Sequence, residues 1–323
     1  MGIIESVLGR VVHRLLMPKA VPSWYADKPC LPDAHSDSLL LMGHVGLQVS
    51  DLEASRRFYV GALGLVEVRS DGKALEMSAG LSGITLRRSS DAKAWPGHLY
   101  VWVRDTKAVL QRVEALGKEL GQDFVEDVHD VSADGAADAL ELRDADGNRF
   151  MVNKAPRGYE DGLRRSIRGG EAPEGEMLAV VEAFHLVPPG VSMQVARFYR
   201  KFFGAAVTTK GEGWAVHFAP SQAFRQTLCF VDDEEEVISM ESAHEICVYV
   251  AEEARFKAVF DRCADAGILQ GDSAWAAALK AQEFRVSQCF DPESAASALE
   301  FETLVRLSSH DDCRLAEPGA VGS

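Results

Sequence analysis

No apolar run in the chain approaches the roughly 20 residues that cross a bilayer as a helix, and none of the six cysteines stands in a CxxC pair. The first absence argues against a membrane-spanning helix. The second argues against a zinc-thiolate site and a disulfide framework, and points to a reducing compartment, so the expected location is the cytoplasm. Positive charge is also short. Lys and Arg number 34 against 49 Asp and Glu, a formal net charge of −15. Nucleic-acid binding rests on cations neutralising phosphates, so no nucleic-acid partner is expected. What remains is an ordinary soluble composition, 47% hydrophobic and 26% charged over 323 residues, enough for about two domains.

The N-terminus is the one membrane-facing signal. Gly2 and Ser6 in MGIIES fit the myristoylation pattern. Ile3, Ile4, Val7, Leu8, Val11, Val12, Leu15 and Leu16 form a helical apolar stripe flanked by Arg10 and Arg14. Weak membrane association through Gly2 and this helix is one reading of residues 1–40; docking of the helix on the protein's own body is the other.

The stretch GHVGLQVSDLEASRRFYVGALGLVEV, residues 43–68, opens the folded part. Val45, Leu47 and Val49 alternate with His44, Gly46 and Gln48, which predicts a half-buried strand. Asp51 is placed to cap the next helix, Gly64 to end it, and short strands follow. The unit then recurs. GHLYVWVRD at 97–105 repeats GHVGLQVSD at 43–51, and the turn Asp144-Ala145-Asp146-Gly147-Asn148 precedes its last strand. VARFYRKFFGAAV repeats the first helix, with Phe198-Tyr199 and Gly204 each 140 positions after Phe58-Tyr59 and Gly64. A fourth copy begins at AHEICVYVAEE. Four strand–helix–strand units in two pairs are therefore expected.

This pattern resembles the vicinal oxygen chelate superfamily, which includes glyoxalase I, type I extradiol dioxygenases, fosfomycin-resistance proteins and methylmalonyl-CoA epimerase. The residues that carry the resemblance are GHVGLQVSDLEASRRFYVGALGL and the DADGN turn. It implies an α+β fold of tandem βαβββ modules whose curved mixed sheets surround clefts. The implied organisation is a domain at 41–154, a polar glycine-rich linker at 155–178, a second domain at 179–307 and a disordered tail at 308–323.

The resemblance also implies where chemistry would sit. In the superfamily a divalent metal is held by residues at the first-strand heads and by a carboxylate on each last strand. It polarises two neighbouring substrate oxygens. In the first domain the heads are His44 and His98, but the last strands offer Thr85 and Met151, so both histidines are expected only to line a cleft. In the second domain the implied ligands are His185, Glu300 and either His244 or Glu245, with Gln226 near the fourth position. Counting back five from Val250 gives Glu245, and a one-residue slip gives His244. Glu302, or an unligated Glu245, is the implied proton carrier. The implied cofactor is Fe2+, Mn2+, Zn2+ or Ni2+, and the implied partner is a small molecule with adjacent oxygens; a homodimer is a further option. The expected function is a metal-dependent isomerase, lyase or dioxygenase, the alternative a metal-free small-molecule-binding protein. Phe290 stands where a dioxygenase would carry a tyrosine, which counts against that chemistry.

Overall fold

The structure, a computed structural model, describes residues 39–131, 137–168, 175–221, 224–234, 241–271, 274–294 and 297–315. The chain divides into a unit at Met1–Ala34 and one at His35–Ser323. The expected N-terminal helix and Gly2 fall outside the described residues. Among those residues, no helix is long and apolar enough to cross a membrane.

Four modules follow one another. The first has β1 (Leu39–Val49), α1 (Leu52–Arg56, continued by a π-helical turn at Arg57–Ala62), β2 (Val66–Ser70), β3 (Ala74–Ala79) and β4 (Ser82–Arg88). The second has β5 (Gly97–Val103), α2 (Thr106–Leu120), β6 (Val125–Val131), β7 (Ala137–Arg143) and β8 (Arg149–Lys154). A linker helix, α3 (Tyr159–Ser166), leads to the third. That module has β9 (Met177–Val187), α4 (Val191–Phe198, with a π-helical turn at Tyr199–Phe203), β10 (Ala206–Lys210), β11 (Gly213–Ser221) and β12 (Phe224–Asp232). The fourth has β13 (Glu241–Val250), α5 (Glu253–Asp265), α6 (Trp275–Ala281), β14 (Glu283–Val286), β15 (Cys289–Phe290) and β16 (Ser297–Leu307).

Local chemistry explains the repeated helix starts. Asp51 accepts from the amides of Glu53 and Ala54 at 2.9 and 3.1 Å. Asp105 does the same for Lys107 and Ala108 at 2.9 and 3.4 Å, filling donors the first turn leaves orphaned.

The modules combine into two eight-stranded mixed sheets, and the pairing is not sequential. One sheet runs β14-β16-β13-β1-β4-β3-β2, with β15 also against β16, and so joins modules one and four. The other runs β10-β11-β12-β9-β5-β8-β7-β6 and joins modules two and three. Sequential modules meet instead through their helices. Phe58 of module one packs on Phe124 and Phe150 of module two, at centroid separations of 5.3 and 6.1 Å. Phe198 and Phe202 pack on Phe290 of module four at 5.9 and 5.0 Å. The matched tyrosines are anchored in the same way: Tyr59 donates to Asp144 at 2.7 Å, and Tyr199 meets the Thr303 hydroxyl at 3.0 Å.

One face of each sheet joins a common apolar core, which contains Val45, Leu47, Val49, Ile84, Ile246, Val248, Phe301, Leu99, Val101, Ala183 and Phe230. Strand alternation turns the intervening side chains to the opposite, polar face. The central strands of the second sheet approach closely at Gly97, φ +128°, where a Cβ would lie 2.2 Å from the Phe184 carbonyl oxygen. The expected disordered tail needs correction over 308–315. Cys313 and Leu315 are buried, and Arg314 donates to Ser78 at 2.6 Å. Residues 316–323 lie outside the described set.

Candidate functional site

The antiparallel union of β1 with β13 places Gly46 opposite Glu245 and His44 opposite Cys247. Parallel neighbours complete the row: Glu245 lies beside Glu302 on β16, and Gly46 beside Thr85 on β4. The polar face of the first sheet thus carries Glu302, Glu245, Gly46 and Thr85 side by side, with His44, Arg87 and Arg285 around them. A side chain at Gly46 would crowd Glu245, since a Cβ there would lie 3.0 Å from the Glu245 Cβ.

Glu245 is the hub of this face, with a side chain only 4% exposed. Its Oε1 accepts from Arg87 Nη2 at 2.9 Å and lies 3.6 Å from His44 Nε2. Its Oε2 accepts from Arg285 Nη1, which also donates to Glu302 Oε1. Burial opposes the charge on Glu245, but His44 and the two guanidiniums outweigh it and hold the carboxyl at about 2. Burial likewise opposes the charge on His44. Contact with Cys247 and Glu245 reverses that and raises its pKa to about 9. Neither group exchanges a proton readily near neutrality.

Of the implied second-domain ligand set, His185 and His244 are brought together at Trp95, whereas Glu245 and Glu300 are turned to the other side of the first sheet. His185 and His244 point into the core, on the face opposite Glu245. The His185 ring packs against Trp95, Phe230 and Phe301 at 5.1, 5.8 and 5.3 Å. Its Nδ1–H donates to the Leu186 carbonyl at 2.8 Å, and its Nε2 has no hydrogen-bond partner among the described residues. His244 packs on Trp95 at 5.3 Å and bonds to the Ala94 carbonyl at 3.0 Å. Burial lowers their pKa values to about 3 and about 4. Glu300 is exposed and lies on the same side of β16 as Glu302, with the buried Phe301 between them turned to the core.

Gln226 is fully buried, and its amide is spent on backbone. Oε1 accepts from Met42 N at 2.9 Å, while Nε2 donates to the Met42 and Val180 carbonyls at 3.0 and 2.9 Å. It ties the second sheet to the first and has no ligand role in this arrangement. His98 lies on the polar face of the second sheet, stacked on Phe184 with centroids 4.5 Å apart. On that face Glu182 is paired with Lys210 and accepts from Thr227 at 2.8 Å. His44, implied as a partner of His98, belongs with Glu245 and Glu302 instead.

A divalent cation does not fit the first sheet's polar face. The carboxylates that would ligate it are spanned by the Arg285 guanidinium, and Arg87 holds the remaining Glu245 oxygen. A metal there would stand against two fixed cations, and His44 would have to lose its proton to bind. Among the described residues, one His–carboxylate group has ligand atoms within 4.8 Å of one another, namely Asp127, His129 and Glu141 on β6 and β7. There the His129 ring is shared by two carboxylates, with Nε2 2.8 Å from Glu141 and Nδ1 3.9 Å from Asp127.

Sequence reasoning missed Arg87 and Arg285. The alternation of GITLRR puts Arg87 on the face of Thr85, and that of EFRV separates Arg285 from buried Phe284 and Val286. The signal was legible once those faces were known to meet.

Comparison with known proteins agrees with this architecture. The model of a glyoxalase-like domain matches residues 44–153. Glyoxalase I from Zea mays superposes with a TM-score of 0.51 at 12% identity, covering 83% of this chain and 92% of that one. A protein of Bacillus subtilis subsp. subtilis str. 168, provisionally described as a dioxygenase, gives a TM-score of 0.51 at 12% identity, over 84% of this chain and 86% of that one. At such identities the likeness is one of fold. No curated protein sequence matches the chain.

Proposed function

Since residues 44–153 match the model of a glyoxalase-like domain, we propose that the chain is a metal-independent small-molecule-binding protein of the vicinal oxygen chelate superfamily. Its site is the polar face shared by modules one and four. One observation carries this reading: the Arg285 guanidinium bridges Glu245 and Glu302, the neighbouring carboxylates at the centre of that face. The charge a metal would supply is supplied by the protein itself.

The titration behaviour of the face supports binding over catalysis. A general acid or base works best with a pKa near the working pH. Glu245, at about 2, and His44, at about 9, are displaced from neutrality in opposite directions. Glu302, the implied proton carrier, has one oxygen engaged by Arg285. These groups serve to fix one another, which gives a bound molecule a preorganised polar floor.

A thermal-shift screen of small molecules, run with and without EDTA, tests the reading. Stabilising compounds are expected to act equally in both conditions and to be recovered chemically unchanged by NMR. Stabilisation that needs added metal, or metal-dependent turnover of a hit, would overturn it.

A further inference from the structure

Arginine donors gather on one part of the first sheet's polar face in a chain that is acidic as a whole. The protein carries a formal −15, yet two guanidiniums, Arg87 and Arg285, converge there on one buried carboxylate, Glu245, with the His44 ring beside them. Two other arginines of this face have carboxylates of their own. Arg69 pairs with Glu76, and Arg306 with Glu283 and Asp312. Two guanidiniums meeting on one buried carboxylate are therefore particular to the row around Glu245.

Burial divides these groups into a base and a rim. The Glu245 side chain is 4% exposed, whereas Arg87 is 45% and Arg285 is 32% exposed. Arg87 bonds to Glu245 through Nη2, and Arg285 reaches both carboxylates through Nη1. A guanidinium has five N–H donors in a planar fork. Each arginine is thus pinned at one end by a buried carboxylate and keeps donors on its exposed end. His44, 18% exposed, lies beside them, and Gly46 between them has no side chain to screen the row.

Fixed, partly desolvated guanidinium forks match the oxygen geometry of carboxylates and phosphates. We propose that this face binds a small oxyanion, a carboxylate or phosphate group of a metabolite, through the exposed donors of Arg87 and Arg285 with His44 beside them. This rests on the metal-independent reading and adds the ligand class to it. The buried Glu245 positions the arginines, and the bound anion takes up the donors that Glu245 leaves exposed.

Isothermal titration of the full-length protein with oxalate and with inorganic phosphate, in EDTA, tests this, with oxamide as the neutral control. At least one anion is expected to bind and oxamide to give no heat. Binding should weaken as salt is raised. Arg87→Gln should weaken it about tenfold or more, a loss of about 1.4 kcal/mol, and Arg87→Lys should restore part of it. Arg87→Gln leaves Glu245 still facing His44 and Arg285, and a single cooperative melting transition above the titration temperature confirms that the variant is folded. Absence of binding by both anions, or equal binding by Arg87→Gln, overturns the oxyanion proposal alone. Anion binding that appears only with added metal overturns the metal-independent reading beneath it.

Discussion

Lowering the pH from 7 to 5 should destabilise this fold through two histidines that take no part in the proposed site. His185 and His244 are buried between the sheets, and their folded pKa values of about 3 and about 4 lie below the ordinary 6.5. A depressed pKa means that the unfolded chain takes up the proton first. Stability is therefore complete above pH 6.5 and falls as the pH drops toward the folded values. While the folded pKa stays below 5, the loss per residue is set by the unfolded state alone, and amounts to about 2 kcal/mol between pH 7 and 5. His44 acts in the opposite sense. Its pKa of about 9 gives stability that is fully present below 6.5 and lost as the pH rises through 9. Over the same interval it returns about 1 kcal/mol. The three together predict a net loss of about 3 kcal/mol. Urea unfolding followed by tryptophan fluorescence at both pH values measures it, with the m-value checked for constancy. Comparison with His185→Phe isolates the cause, because other titrating groups cancel. The variant should lose about 2 kcal/mol less than the wild type over the interval. Equal losses in the two proteins would refute the buried, neutral His185.

Other substitutions probe the joints. Gln226→Leu should cost about 2–4 kcal/mol by urea unfolding, since it strands three buried backbone groups at once; a cost near zero would mean the two sheets are not tied there. Tyr59→Phe should cost about 1–2 kcal/mol through the lost hydroxyl bond to Asp144, and a neutral result would argue against that buried contact. Arg285→Gln leaves Glu245 and Glu302 side by side without their bridge, so stability should fall by about 1–3 kcal/mol. Adding Glu302→Gln should recover part of that loss, and a purely additive double variant would contradict the bridge.

How much of this was legible in the sequence depended on the range of the interaction. Strand alternation is local, so counting back from Val250 points to Glu245 but leaves a one-residue slip to His244 open, and it is the register against Gly46 that places Glu245 on the polar face. The capping aspartates and the Gly147 turn, φ +92°, are local too. Which modules share a sheet is not. The first strands of all four modules present similar edges, and nothing within a module states whether β1 pairs with β5 or with β13. The sequential assumption therefore sets His44 beside His98, and only the cross-pairing brings it to Glu245. His185 was misleading for a related reason. It sits near a strand head, as a ligand would, but in phase with core residues Ala183 and Val187 rather than with Glu182. Gln226 resembles a ligand by position, while its bonds to Met42 depend on a contact between sheets that no sequence pattern encodes.

Metal content of the purified, untagged protein, by plasma mass spectrometry alongside Glu245→Gln and Glu302→Gln, bears most directly on the central claim that arginines rather than a metal neutralise these carboxylates. The account predicts no stoichiometric iron, manganese, zinc or nickel that depends on either glutamate, before or after reconstitution. One equivalent of metal that is lost in either variant would contradict it and restore the metal-dependent enzyme.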